Sequence, residues 1–284
     1  YGVKRGIKHT VLAGYLARKL GRPVRLIEDR LENMIGGDAH GPERLFDVEV
    51  AFGDDGLIAA LRLRALEDVG AHTGRAPFQL GKPVGAIVGP YTIGAVRYEA
   101  ICVSTNKTGQ IAVRGFGQSP TNFALETAID KVARHLGRDR LEVRKRNFIR
   151  KEQFPYRIPS GSEYDSGDYR TVLDKAVELA DLPELLARRD ELREQGLLAG
   201  IGIATCLEPG GGNSSFEPLL NPKNQTTTWP ESCRITVGRG GDVTALITTS
   251  SSGQGHETLA ATVVGEELDL PPEGIRVLHA DCLS

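Results

Sequence analysis

TNKTGQIAVRGFGQSPTNFALETAIDKVARHL, residues 105–136, follows a short apolar segment at 101–103 and decides how the chain is organised. A polar turn leads to Arg114-Gly115-Phe116-Gly117, and a helix begins directly after it. Ser119 is the expected cap, and Pro120 suits the first helical position, where its fixed φ helps and its missing N–H costs nothing. Leu125, Ile129, Val132 and Leu136 fall on one stripe, and Gly137 is expected to end the helix. Glycines flanking an arginine and an aromatic, just ahead of a helix N-terminus, let backbone approach a bound group closely. They also offer amide donors and a guanidinium to its oxygen atoms. Two readings of these four residues stay open: a ligand loop, or a tight turn with Phe116 in the core.

Working outward, residues 6–20 are expected as a helix with Ile7, Val11, Leu12, Tyr15 and Leu16 inward, ended by Gly21. Residues 23–27 read as a buried strand that delivers Glu28-Asp29-Arg30 to its end. A hairpin spans 45–52 and 57–66 around the turn at 53–56, with Leu57, Ala59, Leu61, Leu63 and Ala65 on the core face and Arg62 and Arg64 in water. Residues 67–91 carry glycine and proline without periodicity and read as a long ordered loop. Asp139 and Glu142 suit a capping box for a helix through Asn147. A polar connection follows at 153–167.

Helices are then expected at 169–180 and 183–195, the first laying Val172, Leu173, Ala176, Val177 and Ala180 on a sheet. A strand at 200–206 opens a second block, and 209–229 is a polar excursion. Strands at 234–237 and 243–248 pair across Gly240-Gly241, then residues 250–258, SSSGQGHET, enter a helix carrying Leu259, Val263 and Leu268. Residues 275–279 read as a strand. A strand meeting a glycine turn that opens a helix thus occurs twice, which suits a large polar ligand shared by two blocks. The expected fold is α+β, with two mixed α/β blocks at 1–152 and 200–284, the second truncated, joined by 153–199.

The chain has 284 residues, 40% of them hydrophobic, enough for two cores. A formal charge of −2 supplies no field for nucleic acid or an anionic membrane surface. No apolar run approaches the ~18 residues of a spanning helix, so an integral membrane protein is not expected. Cys102, Cys206, Cys233 and Cys282 show no CxxC, zinc or iron–sulfur spacing and read as thiols in a reducing cytoplasm. Neither glycine loop is a dinucleotide fingerprint or a Walker loop. A start at Tyr1, inside a glycine turn, reads as a fragment.

Tyr1-Gly2-Val3-Lys4, PVRLIEDR at 23–30, TNKT at 105–108, RGFG at 114–117, DSGDY at 165–169 and GQGHET at 253–258 occur in one order. Together they resemble the molybdopterin-binding catalytic large subunit of the xanthine dehydrogenase, aldehyde oxidase and aerobic carbon monoxide dehydrogenase family, over nearly the whole chain. The resemblance implies molybdenum held by molybdopterin, in its simple or cytosine dinucleotide form, and hydroxylation of an aldehyde or N-heteroaromatic substrate with oxygen from water. It also implies 2Fe-2S and FAD cofactors on an iron–sulfur subunit and an FAD subunit.

By the same resemblance Tyr1, Gly2 and Arg114 lie near the metal, and Phe116 and Arg5 contact the substrate. Gly115 and Gly117 belong to the metal loop, while Gly253, Gln254 and Gly255 hold the pterin or its nucleotide tail. The copper-bridging cysteine of the carbon monoxide enzymes has no counterpart in AVRGFG, and Arg5 stands where purine-oxidising members have a glutamate. The family's general-base glutamate falls beyond Ser284, and Glu208, Glu217 and Glu257 are not expected to replace it. Activity is therefore expected only with the remaining segments of the catalytic subunit. The competing expectation is a noncatalytic assembly module that keeps the fold.

Overall fold

The computed structural model describes residues 8–36, 41, 43–72, 76–111, 115, 117–208, 232–249, 251 and 253–280. The chain divides into two compact units, Tyr1–Thr227 and Thr228–Ser284.

In the first unit, β1 (Glu43–Phe52) and β2 (Ile58–Gly70) form the expected antiparallel hairpin, and β3 (Ala95–Ser104) runs parallel to β2, which is central. Leu61, Leu63 and Ala65 are buried as the alternation requires. Leu57 and Ala59 are not, and Ile58 takes the core position instead. A register shift between Ala51 and Phe52 is the reason, since one extra residue flips which side chains face inward. Arg62 and Arg64 reach across the exposed face to Glu49 and Asp47.

The segment 67–91 is not the loop its composition suggested. It completes β2 and then forms α3 (Ala76–Gly81) and a 3-10 turn (Lys82–Ala86), burying Leu80, Ala86, Ile87, Val88 and Tyr91. Helical pieces of five and six residues are too short to print a 3.6-residue period on the sequence. They supply the crossover that a parallel β2–β3 pair needs.

The long helix α4 (Gln118–His135) buries Leu125, Ile129 and Val132, with Leu136 half-buried beyond it. It begins one residue before Ser119, with Gly117 rather than Ser119 at the cap position. Gly137, at φ 62°, ends it as expected. Asp139 caps α5 (Arg140–Asn147) by accepting from the amides of Leu141 and Glu142 at 2.8 and 3.0 Å. Asn147 then ties α5 to the hairpin, its Nδ2 donating to Gly56 O and its Oδ1 accepting from Ile58 N, both at 2.8 Å.

Four expectations fail around this core. In α1 (Lys8–Leu20) the supposed inner face is turned out, with Val11 59% and Tyr15 60% exposed. Residues 23–27 form no strand, since among the described residues no strand pairs with their backbone. Asp29 instead opens α2 (Arg30–Gly36) through a reciprocal pair of bonds with Glu32, at 2.8 and 2.9 Å. After the short ladder of β4 (Tyr156–Arg157) and β5 (Glu163–Tyr164) come α6 (Tyr169–Leu179) and α7 (Leu182–Glu194). On α6 only Leu173 of the expected sheet-facing side is buried, and Val172 is 68% exposed.

The last failure is residues 200–206, which pair with no strand. They lie along α4 and α5, where side chains meet their backbone: Arg140 donates to Ile201 O, Arg144 to Ile203 O, and Thr205 N donates to Glu126 at 3.1, 3.0 and 2.9 Å. Residues 209–229, expected as a polar excursion, lie outside the described residues.

The second unit repeats the strand plan. β6 (Cys233–Val237) and β7 (Val243–Ile247) are antiparallel, and β8 (Ile275–His279) is parallel to β7 after α8 (His256–Leu268). Its core is small: Val243, Ala245, Ala261 and Ile275. Leu259 and Val263 on α8 are exposed. Among the described residues no helix is long and apolar enough to cross a membrane.

Candidate functional site

Both glycine turns adopt the same backbone device. Gly115 and Gly117 have φ of 96° and 83°, and Gly253 and Gly255 have φ of 93° and 75°. In each pair the second glycine is the cap position of a helix, α4 or α8, and no side chain caps either. Left-handed backbone at alternate residues is why the sequence spells G-x-G twice.

The first turn is locked from below. A Cβ on Gly117 would lie 1.8 Å from Gln79 O, so no other residue fits. The amide of Gln118 donates to Gly115 O at 2.8 Å, closing the turn. Gly117 O accepts from Thr121 Oγ1 at 2.9 Å and from Arg44 Nη1 at 3.3 Å. Arg44 is itself held by Glu67, its Nε donating to Oε2 at 2.9 Å, with side chains 1% and 0% exposed. A buried, hydrogen-bonded ion pair is rigid because breaking it leaves an uncompensated charge.

Behind the loop, Asp68 accepts from Thr105 Oγ1 at 2.6 Å and from Gly70 N at 2.9 Å, and Lys107 Nζ stands 3.1 Å from it. These bonds, led by the Thr105 hydroxyl, hold the Asp68 carboxyl down to about 2. The TNKT motif therefore fastens the approach to the turn onto the end of β2.

Four amide side chains of this unit are buried, Gln79, Gln110, Gln118 and Asn122, at 1%, 2%, 1% and 7% exposure. Gln118 Nε2 donates to Ala86 O at 3.4 Å, and Gln110 Nε2 donates to Asp68 O. Yet Gln79 Nε2, Gln110 Oε1, Gln118 Oε1 and Asn122 Oδ1 have no hydrogen-bond partner among the described residues. Buried polar atoms left without partners cost roughly 1–3 kcal/mol each. Which end of each amide is N or O follows from the bonding network. Sequence reasoning passed over all four, although Gln118 directly follows the glycine turn and shares a helix face with Asn122.

At the second turn, Gln254 Nε2 and His256 Nε2 are 2.9 Å apart. His256 also lines a cavity of about 390 Å3 at the start of α8, bounded by Cys233, Ile247, Thr248 and Leu259. Glu257 is bonded to His279 at 2.7 Å, and His279 also donates to Thr249 O, which fixes the turn to the end of β8. Glu208 pairs with Lys82 at 2.7 Å.

Of the sequence-predicted site residues, Gly115, Gly117, Gly253, Gln254 and Gly255 are described, and their turns are the ones just given. Tyr1, Gly2, Arg5, Arg114 and Phe116 lie outside the described residues, as does Glu217. No group of three potential metal ligands occurs among the described residues.

The chain matches two family models described as a molybdopterin cofactor-binding domain, over residues 1–148 and 175–284. It is 36% identical to the carbon monoxide dehydrogenase large chain of Hydrogenophaga pseudoflava, over 99% of this chain and 35% of that one. It is 32% identical to the nicotine 6-hydroxylase large subunit of Paenarthrobacter nicotinovorans, over 92% of this chain and 32% of that one. The structure of quinoline 2-oxidoreductase from Pseudomonas putida 86 superposes with a TM-score of 0.79 at 32% identity, covering 95% of this chain and 34% of that one. The chain thus spans about one third of the relatives it matches.

Proposed function

We propose that this chain, which belongs to the molybdopterin-binding large-subunit family of the molybdenum hydroxylases, supplies part of the cofactor site of an oxidoreductase complex. The observation that supports the reading most is the set of buried amide atoms without partners, together with a glycine turn that admits no Cβ. A pterin carries donors and acceptors along its ring edge and anionic phosphate beyond it. Amide side chains satisfy the first and backbone amides of left-handed glycines the second.

In this reading Gln79, Gln118 and Asn122 face the cofactor from the floor of the first turn, with Gly115 and Gly117 giving it close approach. Gly253, Gln254 and Gly255 would hold the pterin or a cytidine tail, and Tyr1, Gly2 and Arg114 would be the residues nearest the metal. Arg44 and Glu67 position the turn. When bound, the cofactor supplies a two-electron oxidation that places water oxygen on a carbon of the substrate. Companion subunits carrying 2Fe-2S and FAD would accept the electrons, and the remaining segments of the catalytic subunit would complete the site.

The substrate class is an aldehyde or an N-heteroaromatic compound, with Phe116 as a flat wall and Arg5 at the pocket edge. The names of the nicotine 6-hydroxylase and quinoline 2-oxidoreductase relatives favour the heteroaromatic. Pterin released per chain from the natively assembled protein tests the amide role. Gln118→Leu is expected to lower it severalfold with the unfolding transition retained, and unchanged pterin would remove Gln118 from the site.

A further inference from the structure

Residues 201–208 carry the two-residue period of a strand, with Ile201, Ile203, Thr205 and Leu207 half-buried and Gly202, Ala204, Cys206 and Glu208 exposed. Ile203 and Leu207 pack against the core of the first unit. Among the described residues no strand pairs with this backbone, and side chains from other elements hold it at alternate residues. Arg140 donates to Ile201 O at 3.1 Å and Arg144 Nη2 to Ile203 O at 3.0 Å. Glu126 accepts from Thr205 twice, from its amide at 2.9 Å and from its hydroxyl at 3.0 Å. Tyr91 Oη lies 2.6 Å from the same hydroxyl.

The buried network beneath stays complete without the segment. Glu126 Oε1 still accepts from Tyr91 Oη at 2.6 Å, and its Oε2 from Arg144 Nε at 2.9 Å. Arg144 Nη1 still donates to Asp130 at 2.7 Å, and Nη2 to Glu126 O at 3.4 Å. Tyr91 and Arg144 are 0% exposed and Glu126 4%, so an unanswered charge here would be costly, and release of the segment leaves none. Release gives up hydrogen bonds that water replaces and the packing of two half-buried side chains, which sets opening below unfolding of the core. The far end of the segment grips a different element. Glu208 pairs with Lys82 at 2.7 Å, at the head of the Lys82–Ala86 turn, whose last carbonyl, Ala86 O, accepts from Gln118 Nε2 at 3.4 Å.

We propose that residues 201–208 are a strap that opens and closes on α4 as a unit without unfolding the core, and that the closed strap steadies the turn that seats Gln118. Only the step from Gln118 to the cofactor rests on the function proposed above; the strap and its hold on the turn do not.

Amide hydrogen exchange of the natively assembled protein, corrected for intrinsic rates, tests it. The Thr205 amide is expected to exchange at least about tenfold faster than the α4 amides of residues 125–132, yet slower than an unstructured peptide, as opening short of global unfolding requires. Thr205→Val keeps the side-chain shape and loses the hydroxyl bonds, so exchange at residue 205 should rise about tenfold with α4 unchanged. The Gln118 amide, which donates to Gly115 O at 2.8 Å, should quicken with it, at least about twofold. One rate shared by residue 205 and α4, or a wild-type rate at residue 205 in the variant, would overturn the strap. A wild-type rate at Gln118 beside a raised one at residue 205 would remove its hold on the turn. Pterin per chain left unchanged while both rates rise would count against Gln118 as a cofactor contact and leave the strap standing.

Discussion

Arg44 Nη1 donates to Gly117 O at 3.3 Å across 73 residues of sequence, tying the second residue of β1 to the cap of α4. The glycine turn is therefore held by the sheet as well as by its own loop. Arg44 in turn is oriented by Glu67 on the neighbouring strand, and the pair is almost wholly buried.

Arg44→Met should remove one half of that pair and strand the Glu67 charge. A loss of about 3–5 kcal/mol in unfolding free energy is expected, as for other buried pairs broken on one side. Urea unfolding of the purified protein measures it; a change below about 1 kcal/mol would mean that water or rearrangement compensates Glu67.

The two glycine turns should differ in tolerance. Gly117→Ala drives a methyl into Gln79 O, whereas Gly255 has nothing within 4 Å, so Gly255→Ala meets only the cost of its left-handed φ. That cost is about 1 kcal/mol, and the first variant should exceed it by several kcal/mol or fail to fold. Matched thermal unfolding of both variants decides; equal losses would contradict the packing under Gly117.

The fold was legible where a long period or a paired turn wrote it: α4, the β1–β2 hairpin, α5 with its Asp139 cap, and β6–β7–β8 all follow their patterns. It was not legible where a tertiary neighbour decides. Residues 200–206 look like a strand, yet Arg140, Arg144 and Glu126 take the hydrogen bonds a ladder would have made. The Ala51–Phe52 register shift moved Ile58 inward without leaving a mark in the hydrophobic alternation. At the site, both G-x-G turns could be read from their letters because left-handed φ selects glycine. The buried amides could not, since Gln79 and Gln110 look like surface residues until α3 and the β2 end close over them.

The second turn should loosen both as Glu257 is protonated and as His279 is deprotonated. Its bond to Thr249 O, and then to Glu257, raises the His279 pKa above 6.5, so that contribution is whole below the unfolded value and fades as pH rises through the folded one. The His279 bond lowers the Glu257 pKa below 4.5, so its contribution is whole above 4.5 and fades as pH falls through the folded value. Hydrogen exchange at residues 249–257, corrected for intrinsic rates, should be slowest between about pH 4.5 and 6.5. A Glu257→Gln variant with an unaltered pH profile would show that the pair does not hold the turn.

Replacing Phe116 by alanine should slow turnover of an N-heteroaromatic substrate about fivefold more than that of a small aldehyde, because ring stacking adds ~1 kcal/mol beyond area burial. Steady-state kcat/KM for both substrate classes on the assembled enzyme gives the comparison. Equal losses would place Phe116 in the packing and not at the substrate.

The central claim is that this chain holds part of a molybdopterin site, and metal and pterin content tests it most directly. The intact complex, purified from its source with every copurifying polypeptide identified, should contain close to one molybdenum and one pterin per copy of this chain, and Arg114→Met should lower the molybdenum. A complex that is intact and well folded yet free of both would contradict the account and leave the chain as a structural module with the family fold.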